Sequence, residues 1–222
     1  TILFDLDGTL VDTAPDLMLA HNHVMRKFGY PTKSTEDIRN LVGKGAGALI
    51  GRSIWGQAKK EFSKVLDDKI KDEMVKEFVN FYGKNIVNES TLVTGVKDFL
   101  IWCKEQNISM AVCTNKQEHL SNDLLKKIGI YDFFEYVAGS DTFDYCKPDP
   151  RHLTNIVEIL DGDLKKTIMI GDSETDANAA KAAEIPVILL ENGYTEKNTT
   201  EIFHNHLIKD FTGIEKIITK YL

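Results

Sequence analysis

Short apolar runs alternate with helix-like segments along most of the chain, and this alternation limits the possible folds more than any other feature. The runs share a high content of Val, Ile, Leu and Phe, and they occupy residues 2–6, 108–113, 136–138, 167–170, 187–190 and 207–209. Apolar residues at helical spacing separate them, in residues 96–105, 119–128, 150–160 and 174–183. Strands that alternate with helices favour a parallel sheet covered by helices on its faces. The sequence therefore predicts an α/β, Rossmann-like fold built from right-handed βαβ units.

The pattern changes after the first run, because residues 15–88 contain no strand-like run. Apolar residues recur there at helical spacing, in residues 17–28, 46–54 and 70–81. We therefore predict an all-helical cap domain of residues 15–88, inserted into a core domain of residues 1–14 and 89–222. Two connections, near residues 12–15 and 88–91, would join them, and the sheet is expected to resume near residues 92–95.

Charge and composition narrow the classes of partner. The net charge is −7, with 27 Lys and Arg against 34 Asp and Glu and no basic run, so neither nucleic acid nor an anionic membrane surface is expected to bind. No apolar run approaches the roughly 20 residues that cross a bilayer, and the amino terminus lacks a signal pattern. Three cysteines form no CxxC pair. We expect a cytoplasmic monomer or small homo-oligomer that acts on a small molecule.

The first strand ends in the segment Asp5-Leu6-Asp7-Gly8-Thr9. A period of two directs Asp5 and Asp7 to the same side, and Gly8 frees the backbone to turn. Two such carboxylates are suited to holding a hard divalent cation, and one of them is then able to attack phosphorus while the other handles a proton. A surface turn after a strand explains an isolated pair equally well.

Two further strand ends carry polar groups. Thr114 and Asn115 follow an apolar run and precede a helix, where a hydroxyl and backbone N–H groups suit a phosphate oxygen. Lys147 lies on a proline-stiffened loop ahead of another helix and is able to point at a phosphate. Taken singly, an ordinary helix cap explains Thr114 better, and a solvated lysine explains Lys147 better.

The fourth polar segment is Gly171-Asp172-Ser173-Glu174-Thr175-Asp176, which follows an apolar run and opens a helix. Helix capping accounts for its hydroxyls and for Glu174, but it does not require both Asp172 and Asp176. All four segments lie where predicted parallel strands end, and open α/β sheets bind ligands at that edge. We therefore expect the four segments to form one site.

These four segments resemble, in order and spacing, the motifs of haloacid dehalogenase-type phosphatases, over residues 1–193. Flanking segments in residues 10–17, 41–45, 114–116 and 193–195 resemble bacterial phosphoglycolate phosphatases. One departure is Glu184, where the family often has a glycine that ends the helix in a left-handed conformation. We expect this departure to alter the helix terminus with little effect on the site.

The resemblance implies a mechanism. Asp5 would be the nucleophile that forms an aspartyl-phosphate, and Asp7 would protonate the leaving oxygen and then activate water. Mg²⁺ would be held by a carboxylate oxygen of Asp5, the backbone carbonyl of Asp7 and Asp172. Thr114, Asn115 and Lys147 would bind the phosphate, and Asp176 and Ser173 would support these groups from behind them.

In the cap, Arg39 and Lys44 are candidates for contact with a small carboxylate such as that of glycolate, although both also fit solvated charges at a helix end. The predicted activity is hydrolysis of a small phosphomonoester, with 2-phosphoglycolate as the preferred candidate. A phosphosugar phosphatase, a pyrophosphatase and a β-phosphoglucomutase remain open. A dehalogenase is disfavoured because that branch lacks an aspartate at the position of Asp7. A silent phosphometabolite sensor is the alternative outside enzymes.

Overall fold

A computed structural model describes residues 1–61 and 68–221, with the backbone alone for residues 55–61. Eight strands lie within these residues: β1 (Ile2–Phe4), β2 (Val11–Asp12), β3 (Thr91–Leu92), β4 (Met110–Cys113), β5 (Tyr136–Ala138), β6 (Ile168–Gly171), β7 (Val187–Leu190) and β8 (His206–Ile208). Six of them form one sheet in the order β5-β4-β1-β6-β7-β8, and every pair in it is parallel. The predicted α/β fold with a parallel sheet is confirmed.

Nine α-helices lie within the described residues: α1 (Ala14–Phe28), α2 (Thr35–Arg39), α3 (Ala46–Glu61), α4 (Asp68–Lys84), α5 (Val96–Glu105), α6 (Glu118–Ile128), α7 (Arg151–Ile159), α8 (Glu174–Ala182) and α9 (Glu215–Ile218). The first four come between β2 and β3 and form the inserted helical cap, in which α4 packs against both α1 and α3. Helix α2, which begins with a capping box of Ser34 and Asp37, was too short to give a periodic signal. None of these helices has both the length and the apolar character that a membrane span requires.

The expectation that the sheet resumes near residues 92–95 is wrong. Strand β3 instead pairs antiparallel with β2, where Val11 faces Leu92 and Asp12 faces Thr91. Gly95 then adopts a left-handed conformation with φ 80° and opens α5, which ends the extended run. The resulting two-stranded ribbon lies where the chain leaves and re-enters the core, and the main sheet continues only at β4.

Side chains of the central strands alternate between two apolar clusters. Ile2 and Phe4 point into the cluster that also contains apolar side chains of the cap, whereas Leu3 points into the cluster beneath α7 and α8. All four residues of β4 and of β6 are buried, as expected for strands covered on both faces. The apolar core therefore continues from the sheet into the cap and holds the polar edge of the sheet against it.

The expected change at the end of α8 does not occur. Glu184 itself takes the left-handed conformation, with φ 57°. The N–H of Ile185 donates to the carbonyl of Ala180 at 2.9 Å, and the N–H of Glu184 donates to that of Lys181 at 3.2 Å. These two bonds satisfy carbonyls at the helix end in the pattern that glycine usually supports. The terminus is therefore preserved, and Glu184 bears the steric cost of a left-handed residue with a Cβ.

We expect Glu184→Gly to raise the free energy of unfolding by up to about 1 kcal/mol, because glycine removes that steric cost while adding some unfolded-state entropy. Urea unfolding of the two proteins measures the change. Asn107→Gly is the matched control, because Asn107 also follows a helix with φ 54° and asparagine tolerates this conformation better. A larger gain at Asn107 than at Glu184 would contradict this explanation.

Candidate active site

The four polar segments meet at the carboxyl edge of the sheet. Asp5 follows β1, Thr114 follows β4 and Asp172 follows β6, and these three strands include the central pairings of the sheet. Lys147 reaches the same place from the loop between β5 and α7. All four side chains are at least nine-tenths buried. The prediction that these segments come together is therefore confirmed.

Lys147 is the centre of an ion-pair network. Its Nζ lies 2.6 Å from Oδ1 of Asp176 and 3.0 Å from Oδ1 of Asp5, and its side chain is 1% exposed. The loop that carries it is held by His152, whose Nδ1 accepts the backbone N–H of Lys147 at 3.2 Å. Burial alone would lower the pKa of Lys147, but the carboxylates of Asp176 and Asp5 hold it well above its usual range. Lys147 is therefore charged throughout the physiological pH range.

Three buried carboxylates form a cluster around this lysine. Oxygen atoms of Asp5, Asp172 and Asp176 lie within 4.8 Å of one another. Burial, opposed by the Lys147 charge and assisted by that of Asp176, raises the pKa of Asp5 to about 6. Burial and the charge of Asp5 also raise the pKa of Asp172 well above its usual range. When all three carboxylates are ionised, their negative charge exceeds what the one ammonium group is able to neutralise.

This surplus of negative charge suits a hard divalent cation, which prefers oxygen ligands. Asp176 is the least available of the three, because Oδ1 pairs with Lys147 while Oδ2 accepts the backbone N–H groups of Asp172 and Ser173 and the Ser173 hydroxyl. Asp172 accepts one bond from the Thr9 hydroxyl at 3.3 Å and one from the N–H of Tyr194 at 2.6 Å. Asp5 and Asp172 are therefore the carboxylates most open to a cation.

Asp7 lies apart from this cluster. Its carboxylate accepts the Thr13 hydroxyl at 2.7 Å, and both of its oxygens accept bonds from Nζ of Lys116, at 2.8 and 3.0 Å. The side chains of Lys116 and Asp7 are 5% and 13% exposed. The sequence predicts that Asp5 and Asp7 share one small site. In the structure both carboxylates line the cavity, but each pairs with a different lysine.

Thr114 and Asn115 are engaged with the protein itself. The Thr114 hydroxyl accepts the N–H of Lys116 at 3.2 Å, and its own proton remains available to a ligand. Nδ2 of Asn115 donates to the carbonyl of Lys147 at 2.9 Å and to that of Gly43 in the cap at 3.2 Å. The side-chain amide of Asn115 thus connects the lysine loop to the cap, and any contact with phosphate would fall to its backbone N–H.

The two cap candidates lie in different places. Arg39 pairs with Asp12 at 2.7 Å and lies over the Tyr194 ring at 5.4 Å. Its positive charge is therefore already paired beside the β2–β3 ribbon. It is not among the residues that line the cavity between cap and core. Lys44 does line that cavity but is exposed. Of these two residues, Lys44 alone therefore lies where it is able to contact a ligand in that cavity.

The cavity between cap and core has a volume of about 250 Å³. Asp5, Asp7, Thr114 and Lys116 form its floor on the sheet side, and α3, α4 and the loop ahead of α3 form its cap side. The polar floor and the mainly apolar cap wall together suit a small molecule with one highly charged end.

Sequence reasoning missed Asp16, which joins the two connections between cap and core. Its buried carboxylate accepts the backbone N–H groups of Asn88, Glu89 and Ser90 and also the Ser90 hydroxyl, which lies 2.6 Å away. An aspartate in the first turn of a helix predicts favourable placement near the helix dipole, but not these partners 72–74 residues away.

Sequence reasoning also missed the contacts of Tyr194. Its hydroxyl donates to Oδ1 of Asp12 at 2.5 Å and accepts the N–H of Ala14 at 2.9 Å. Because its own N–H donates to Asp172, this one residue links the carboxylate cluster to the start of the cap. A tyrosine after a strand carries no sequence signal for such a contact.

Asp16→Asn is expected to lower the free energy of unfolding by about 1–3 kcal/mol, because an amide places donors against buried backbone donors. Urea unfolding measures the loss. Glu89→Gln is the control, since Glu89 is an exposed neighbour whose side chain takes no part in these bonds. Equal stabilities of the two variants would argue against the importance of this junction.

The chain is similar to several known proteins. The model of the family described as haloacid dehalogenase-like hydrolase matches residues 2–190. A phosphoglycolate phosphatase of Mesorhizobium japonicum is 37% identical over 213 residues, covering 96% of this chain and 92% of the relative. Another, of Caulobacter vibrioides, is 38% identical over 216 residues, covering 97% and 89%.

Two solved structures are also similar to this chain. The crystal structure of a predicted phosphoglycolate phosphatase from Haemophilus somnus superposes with a TM-score of 0.91 at 30% identity and covers 97% of this chain and 96% of that one. A β-phosphoglucomutase from Clostridium difficile has a TM-score of 0.79 at 22% identity, covering 100% and 96%, and shows a shared fold alone.

Proposed function

Because the chain belongs to the haloacid dehalogenase-like hydrolase family, we propose that it is a Mg²⁺-dependent phosphoric monoester hydrolase that converts 2-phosphoglycolate to glycolate and phosphate. The observation that carries the activity is the buried Asp5 carboxylate, 3.0 Å from Lys147 and clustered with Asp172, at the floor of the cavity. The substrate assignment is supported by the two relatives that carry this name.

In this mechanism Asp5 attacks phosphorus in line, and the ester oxygen leaves with the electron pair of the broken bond. Asp7 supplies the proton that this oxygen takes up and then removes a proton from the water that hydrolyses the aspartyl-phosphate. Asp7 lies on the floor of the cavity and is held in place by Thr13 and Lys116, which supports its proposed role in proton transfer.

Charge on the transferring phosphoryl group would be balanced by Lys147 and by the Thr114 hydroxyl. Lys147 is fixed in place by Asp176, so it needs little rearrangement as the reaction proceeds. Ser173 and the backbone around it hold Asp176 in turn. This arrangement supports the proposal that Asp176 and Ser173 position the reacting groups without touching substrate.

The donor set fits Mg²⁺, because the residues nearest the cluster offer oxygen atoms and carry surplus negative charge. We propose that Asp5, Asp172 and the backbone carbonyl of Asp7 hold this ion. When bound, Mg²⁺ neutralises charge between a carboxylate and a phosphate and so permits their approach. The residues of the chain then bind and orient the substrate, and Asp7 transfers the protons.

Residues 15–88 would act as a cap domain that closes over a core of residues 1–14 and 89–222. The β2–β3 ribbon supports this division, since both connections pass through it and Asp16 fastens them together. Closure would exclude water and bring Lys44 close to the substrate. We further propose a monomer or small homo-oligomer in a cytosol-like compartment, in agreement with three unpaired cysteines.

Asp5→Asn is expected to lower phosphate release from 2-phosphoglycolate by about 1,000-fold or more, equivalent to about 4 kcal/mol of barrier, because an amide cannot form the intermediate. EDTA should have a similar effect. The assay measures phosphate release from 2-phosphoglycolate, pyrophosphate, sugar phosphates, nucleotides and an aryl phosphate. Asp132→Asn, at an exposed position, is the control.

A clear preference for 2-phosphoglycolate supports the proposed substrate. A higher kcat/KM for a sugar phosphate or pyrophosphate would replace that substrate while leaving the chemistry intact, and formation of a phosphosugar isomer would indicate a mutase. Absence of turnover with every ester would favour a phosphometabolite sensor over an enzyme.

Mg²⁺ is expected to raise the melting temperature more at about pH 7.5 than at about pH 5. Because the folded-state pKa values of Asp5 and Asp172 are raised, their protonated forms stabilise the metal-free fold at low pH. The Asp5 contribution is lost as the pH rises through its folded-state pKa of about 6. The ion needs the deprotonated forms. Thermal unfolding with Mg²⁺ or EDTA measures the shift, and Asp172→Asn should reduce it. Equal shifts at both pH values would count against this site.

A further inference from the structure

The cavity contains a second polar position, separate from its phosphate-binding floor. Most of its wall toward the cap is apolar, with the following lining residues: Leu17, Val42, Leu49, Val75 and Phe78. Lys116 from the core and Tyr82 from α4 interrupt this wall. Nζ of Lys116 lies 4.3 Å from the centroid of the Tyr82 ring, so the two side chains meet across the junction of core and cap.

Lys116 has donor capacity left over. An ammonium group has three N–H donors, and two of them are accounted for by the two oxygens of Asp7. The residue is 8% exposed, so its charge acts in surroundings that screen it weakly. Family motifs explain Thr114 and Asp7 on either side of it, but the proposed chemistry gives Lys116 no contact with the phosphoryl group. A further anionic partner is therefore electrostatically suited to it.

Tyr82 presents the complementary feature. Its side chain is 1% exposed, and its hydroxyl has no hydrogen-bond partner among the described residues. Burial, together with the nearby charges of Asp7 and Asp16, raises its pKa well above the usual range, so the hydroxyl remains a donor. A buried hydroxyl without a partner costs about 1–3 kcal/mol. A ligand that accepts a bond from it would recover this cost.

We propose that Lys116 and Tyr82 together bind the carboxylate of the leaving group, which identifies the substrate class as phosphate esters of short hydroxy acids. The inference rests on the proposed function and adds its specificity site. Asp7 must contact the ester oxygen to protonate it, and Lys116 contacts Asp7 directly. In 2-phosphoglycolate a single CH₂ group separates that oxygen from the carboxylate, so the carboxylate falls beside the ammonium group.

Lys44 lines the same cavity, but it is a weaker candidate for this role. Its side chain is exposed, whereas Lys116 is buried and held between Asp7 and the Tyr82 ring. An ion pair contributes more binding free energy where solvent screens it less and where the cation is already held in position. Placing the cation on the core and the hydroxyl on the cap also means that the carboxylate contacts both parts when the cap is closed.

The test compares 2-phosphoglycolate with 2-hydroxyethyl phosphate, which replaces the carboxylate by an uncharged group of similar size. We expect the wild-type protein to prefer 2-phosphoglycolate in kcat/KM. Lys116→Met should reduce this preference by about 100-fold, and Tyr82→Phe by about tenfold, because each removes a hydrogen bond to a charged group. For Tyr82→Phe the loss should appear mainly in KM for 2-phosphoglycolate.

Two controls separate recognition from structural damage. Lys126 also lies over a tyrosine ring, with its Nζ 4.8 Å from the centroid of Tyr131, but it is exposed. The substrate preference of Lys126→Met should therefore equal that of the wild-type protein. Urea unfolding of metal-free Tyr82→Phe should show unchanged or higher stability, because the variant removes a buried donor without a partner. A clear loss of stability would assign the hydroxyl a structural role and overturn its part in recognition.

The outcomes distinguish the two proposals. A wild-type preference for 2-phosphoglycolate that survives in both Lys116→Met and Tyr82→Phe would overturn the specificity site and leave the proposed function intact. Equal wild-type activity on the two esters would remove both the proposed substrate and its recognition site. Collapse of the preference in both variants, with Lys126→Met unchanged, would support the inference.

Discussion

The buried ammonium group of Lys147 is the interaction on which the rest of the site depends. It lies between Asp5 and Asp176, and without it three carboxylates would be packed together away from water. Removing one partner from a buried ion pair generally costs about 3–5 kcal/mol, because the remaining charge is left uncompensated. The lysine also does not neutralise the cluster completely. That residual charge favours a cation beside Asp5, the proposed nucleophile.

The two lysines of the site divide the charges between them. Lys147 contacts the carboxylate cluster beneath the cavity, whereas Lys116 contacts Asp7 at the boundary with the cap. Asp5 and Asp7 therefore have different surroundings, although they are only two residues apart after the same strand. Different surroundings are the usual physical means by which two carboxyl groups of the same type take different roles. The same separation creates a second polar position beside the proposed phosphate position, where specificity for the leaving group is proposed.

Contacts between cap and core converge on a few polar side chains. Asp16 fastens the returning chain to the first turn of α1, and Tyr194 connects Asp172 with Asp12 and Ala14. Arg39, expected from its position in the sequence to contact substrate, instead pairs with Asp12 beside this junction. The carboxylate cluster and the start of the cap are therefore linked by direct hydrogen bonds through Tyr194. The apolar packing of the cap on the sheet is thereby supplemented by a small set of directional contacts.

The sequence by itself determined the α/β class, the helical insertion and the meeting of Asp5, Thr114, Lys147 and Asp172, because periodicity fixes strands and helices and parallel strands end at one edge. It also indicated two connections near residues 12–15 and 88–91. Only the tertiary structure decided that β3 forms a ribbon with β2, that Glu184 takes the left-handed conformation, and that Lys116, Tyr82, Asp16 and Tyr194 meet their partners. These contacts join residues far apart in the chain, and a local pattern records a residue's own conformation but not the distant group that will accept or donate its hydrogen bond.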